Sequence, residues 1–92
     1  MNPKVDRNLQ RLLEELGDDE FLTVVVKARD TSGLTEYLDM IKRQNVSLSY
    51  RVAPLFAVVV LSASKKTIGQ VADREEVVAV MDNREFTVPP VR

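Results

Sequence analysis

At 92 residues, with 45% hydrophobic and 29% charged side chains, the chain has the length and balance of one small globular domain. Its net charge of −1 leaves no basic excess for binding nucleic acid or an anionic membrane surface. Cys and His are both absent, which removes disulfides, thiolate nucleophiles, the commonest general base and the commonest metal ligand. The expectation is a protein with no catalytic chemistry, no cofactor and no metal site. No apolar run nears the ~20 residues that span a bilayer. The first residues lead into an amphipathic pattern and not a secretory core, so with Met1 as the natural start the chain reads as cytoplasmic.

In chain order, residues 3–16 predict a helix. Pro3 suits its first turn, Asn2 its N-cap and Gly17 its C-terminal stop, with Val5, Leu9, Leu12, Leu13 and Leu16 on one face. The β-branched run around Thr23, Val24, Val25 and Val26 predicts a central strand over 21–28. Asp30 to Gly33 is a turn cluster. Leu34, Tyr37, Leu38 and Ile41 then repeat at helical spacing. Alternation predicts a half-buried strand over 47–52, with Leu48, Tyr50 and Val52 on one side. Ala53 and Pro54 break that ladder, and Leu55 to Leu61 predicts a continuous apolar strand. Ser64 suits the cap of a short helix carrying Ile68, Val71 and Ala72, and Val77 to Met81 predicts the last strand.

This order is an extra N-terminal helix followed by βαββαβ. It predicts an α+β, ferredoxin-like sandwich with an antiparallel four-stranded sheet and both crossover helices on one face. The division is residues 1–20 as N-terminal helix and turn, 21–82 as the domain and 83–92 as a tail. A sheet face left in water should alternate to polar residues. Here Val25, Phe56, Val58 and Val60, joined by Val78 and Val80 of the last strand, are expected on the open face. Such a patch covers several hundred Å², the size that marks an interface. Either the leucine stripe of the N-terminal helix folds back over it, or a partner or second copy does. The carboxylate pairs Asp18 with Asp19 and Glu75 with Glu76 fall in turns and read as solvated, not as catalytic dyads.

The chain also resembles a known family. The opening helix, then Gly17, Asp18, Asp19 and Glu20, then the strand Leu22 to Lys27 match the start of the subtilisin propeptide and proteinase inhibitor family. Val46 to Tyr50, Ala57 to Ser62 with Ile68 and Ala72, and Glu76 to Val80 match its later strands and second helix. The resemblance covers nearly the whole chain. It implies a domain that binds a subtilisin-like serine protease as inhibitor or folding helper, with the open sheet face on the protease's surface helices and the tail in the substrate cleft. On that reading Asp82, Asn83, Val88, Val91 and Arg92 join the binding site. The family's last strand usually runs into Glu and, two residues on, Asp. The matching positions here are Met81 and Asn83, so capping of protease helix N-termini is either shifted to Asp82 or lost. Pro90 departs as well, because it has no N–H for strand pairing in a cleft. These departures keep a second reading open: a self-associating structural or regulatory domain of the same fold that has lost protease inhibition. The expected partners are accordingly a subtilisin-like protease or a second copy, with no nucleic acid and no membrane.

Overall fold

A computed structural model describes residues 3–82, the side chain of Pro54 excepted. The apolar spacing and caps form α1 (Arg7–Glu15), α2 (Thr31–Arg43) and α3 (Lys65–Ala72); the β-branched runs form β1 (Phe21–Ala28), β2 (Leu48–Ala53), β3 (Val58–Ser64) and β4 (Val77–Asp82). The strands make one antiparallel sheet in the order β2-β3-β1-β4. This is an α+β fold of the ferredoxin-like kind, as the element order predicts. No helix among the described residues is long and apolar enough to cross a membrane.

Local chemistry explains the helix limits. Asp30 accepts from the Gly33 N–H and Ser64 from the Thr67 N–H, each satisfying an orphan donor of a first turn. The expected turn over 30–33 is therefore the first turn of α2. Asn45 ends that helix in the left-handed region, at φ 68°. Its N–H bonds the Lys42 carbonyl and the Val46 N–H bonds the Ile41 carbonyl, a Schellman closure.

Helices α2 and α3 supply Leu34, Leu38, Ile41, Ile68 and Val71 to one core, against Val24, Val26, Val59, Leu61 and Val80 of the sheet. The N-terminal segment departs from its expected form. Helix α1 begins at Arg7, capped by Asp6, and ends at Glu15 with Leu16 as an extended C-cap, without Gly17 adopting a positive φ. The residues before it run beside β4 instead: Val80 donates to the Lys4 carbonyl at 2.8 Å, and Asp6 donates to the Val80 carbonyl at 2.9 Å. Pairing there satisfies edge groups of β4 that water would otherwise have to satisfy. Leu9 is fully buried in the same core as α2 and α3. The leucine stripe thus lies on the helix side of the sheet, and α1 does not cover the open face. The far end of α1 is held by the Lys65 ammonium on the Leu16 carbonyl at 3.1 Å, and the turn before β1 by the Lys65 N–H on the Glu20 carbonyl at 2.9 Å.

Candidate functional site

The open face is built in rows by the strand register. In one row Arg51, Val60, Val25 and Met81 stand side by side; in the next stand Ala53, Val58, Lys27 and Ala79. A third row is polar, with Ser49, Ser62 and Thr23, and Thr23 Oγ1 lies 3.4 Å from Ser62 Oγ. Val25 and Val58 are fully buried yet lie outside the helix-side core, so they form the floor of this face. Val60, Met81, Ala53 and Ala79 are half-buried around them. A shallow depression of about 240 Å³ lies at the polar corner, among Thr23, Ser49, Arg51, Val60 and Ser62.

Three expectations need correction. Phe56 is not in a strand. Pro54–Phe56 forms a 3₁₀ turn, Ala57 follows at φ 52°, and β3 starts only at Val58. Proline fixes φ for a first helical turn and cannot extend the ladder, which is why the apolar run yields a turn there. Leu55 is 93% exposed and Phe56 47% exposed, both in this turn between β2 and β3. The second correction is Val80, which is fully buried in the helix-side core. A register shift at Lys27 and Ala28, opposite Val77, changes the parity of β4. One extra residue in a strand turns every later side chain to the other face. Val77 stays inside, Val78 sits exposed at the shift, and Ala79 and Met81 take the open-face positions. The same parity points Asp82, opposite Val24, to the helix side, where it is 4% exposed. It is therefore not presented to cap a partner's helix. Asn83, Val88, Val91 and Arg92 lie outside the described residues.

Two polar clusters lie away from this face and brace the fold. Arg74 Nε donates to Glu76 Oε1 at 2.8 Å, and its guanidinium stacks 4.4 Å from the centre of the Tyr37 ring. That hydrogen bond, above all, holds the Glu76 carboxyl below its ordinary pKa. Arg29 Nη2 reaches the Glu75 carbonyl at 2.6 Å and Lys4 Nζ the Arg74 carbonyl at 2.8 Å, so the turn before β4 is tied to α2, to the end of β1 and to the N-terminal segment.

In the other cluster Tyr50 Oη donates to Asp39 Oδ1 at 2.6 Å, joining β2 to α2. This hydrogen bond, with burial and the Asp39 charge behind it, raises the Tyr50 pKa above the usual 10.0. The neutral phenol is thus favoured by folding. Its contribution is complete below the ordinary tyrosine pKa and is lost as pH rises through the higher folded value. In Asp39→Asn the late-ionising phenol should return toward pH 10 in an absorbance titration; an unchanged curve would contradict the pairing.

The strand order and one-sided helix layer define a ferredoxin-like α+β domain whose second sheet face is apolar at its centre. No protein-family model matches the chain, and no curated protein or solved structure is significantly similar to it.

Proposed function

We propose that this chain is a propeptide-like domain that binds a subtilisin-like serine protease across the open face of its sheet, as inhibitor or folding helper. The observation that carries the reading is the apolar centre of the sheet face opposite the described helices, where Val60 and Met81 are half-buried on either side of the buried Val25. The whole-chain resemblance of the helix, the Gly17–Glu20 turn and the strand pattern supports the same partner. No part of the reading asks the chain for chemistry. An inhibitor needs only a complementary surface, and affinity there rests on a few desolvated apolar anchors.

The charges on this face qualify the mode of docking. The described strand residues contribute Lys27 and Arg51 to it and no carboxylate, since Asp82 turns inward. A complementary partner presents apolar groups flanked by acidic side chains or helix C-termini, where the dipole is negative. The test is titration of a subtilisin-like protease from the same source with the purified chain. Stoichiometric loss of peptidase activity, or faster recovery of activity on refolding the denatured protease, is expected. Absence of both, with no complex at micromolar concentration, would overturn the reading.

A further inference from the structure

The two edges of the sheet are treated differently. The β4 edge is paired with Lys4, Val5 and Asp6 at Val80. The β2 edge has no strand beside it among the described residues.

The hydrogen-bond phase of the sheet shows which groups stand on that edge. The Ala28 N–H bonds the Ala57 carbonyl, so Ala57, Val59, Leu61 and Ala63 turn their backbone groups toward β1. Val58, Val60 and Ser62 therefore bond β2, at Ala53, Arg51 and Ser49. Leu48, Tyr50 and Val52 are left with N–H and C=O directed outward. Strand β2 contains no proline and no register shift, two of the devices that normally stop an edge from pairing, and its one charged residue, Arg51, bonds β3 and not the outer edge.

We infer that β2 is a docking edge for a second copy of this chain, joined as an antiparallel, two-fold pair centred on Tyr50. The sequence of β2 selects this register. With Tyr50 opposite Tyr50 of the second copy, Leu48 faces Val52 twice, and the three outward residues exchange about six backbone hydrogen bonds, two for each pair. Arg51 then faces Ser49 of the second copy, so no like charges stand opposite. Sliding the strands two residues one way sets Arg51 against Arg51; sliding them the other way shortens the overlap. The centred register also carries the turn with the exposed Leu55 of each copy to the Asn45–Ser47 end of the other, where that leucine leaves water. Both open faces end on one side of the continuous sheet, so pairing does not use the face proposed for the protease. The two-fold axis makes the contact self-complementary and closed.

Sedimentation equilibrium from about 10 µM to about 1 mM tests it, with Ser49→Lys and Ser49→Glu as variants at an exposed position. A reversible dimer is expected. Ser49→Lys, which meets Arg51 twice, should weaken it about tenfold, and Ser49→Glu should tighten it. Amide exchange on the unmodified protein gives a second readout: Leu48, Tyr50 and Val52 should gain protection with concentration, while Ser49 and Arg51, already bonded to β3, should not. A monomer throughout the range overturns the proposal. So does a dimer that ignores both charges or protects other amides.

Discussion

Replacing Leu9 with Ala is expected to lower the unfolding free energy by about 3 kcal/mol, inside the range for leucine truncation in a packed core. For a chain of this size that is a fall in Tm of about 10–20 °C. The reason is placement. Leu9 is fully buried in the helix-side core, with Val5 and Leu13 packed against the same cluster. A helix laid loosely over the open face would place that side chain outside this cluster, and its truncation would cost far less. Chemical denaturation of wild type and variant measures the difference. A loss under about 1 kcal/mol would show that α1 is an appendage and not part of the core.

Val60→Asp is expected to weaken a complex with a subtilisin-like protease by about a hundredfold while leaving the fold intact. Val60 is half-buried on the open face, so its carboxylate stays hydrated in the free protein and loses water only under a partner. Val25 and Val58 are poorer probes, because an Asp at either fully buried position would test folding and not binding. Phe56→Asp, in the exposed turn that precedes β3, is the second variant if Val60→Asp proves unstable. Met40→Asp on α2, also exposed, should leave affinity unchanged, because α2 packs on the other side of the sheet. Equal weakening by Met40→Asp and Val60→Asp, read by inhibition titration with thermal melts alongside, would refute a binding face on the open side.

The fold was largely legible in the residues because its signals are local. The β-branched run from Thr23 to Val26 places β1, the alternation of Leu48, Tyr50 and Val52 places β2, and Ser64 caps α3. The site was legible only in part. Val25, Val58 and Val60 share the expected side, because β1 and β3 pair without a shift from Phe21 to Lys27. Val80 and Met81 exchange faces because a bulge is set by pairing with a neighbouring strand, and an apolar run such as Val77 to Met81 carries no alternation to reveal it. Pro54 was the available signal for the exposed Leu55 and Phe56: a proline after a strand favours a turn over two further residues more than immediate re-entry into the sheet. The position of α1 had no local signal. A leucine stripe specifies that a face is buried and not which layer receives it. That choice rests on the β4 edge, where Lys4 to Asp6 find backbone partners.

The proposed binding face is tested most directly by amide and methyl chemical-shift mapping of the labelled chain as unlabelled subtilisin-like protease is added. The largest changes are predicted at Val60, Met81, Ala79, Lys27, Arg51 and Phe56, with Tyr37, Met40 and the rest of α2 unmoved. A footprint confined to α2 and α3, or spectra unchanged at micromolar protease, would contradict it.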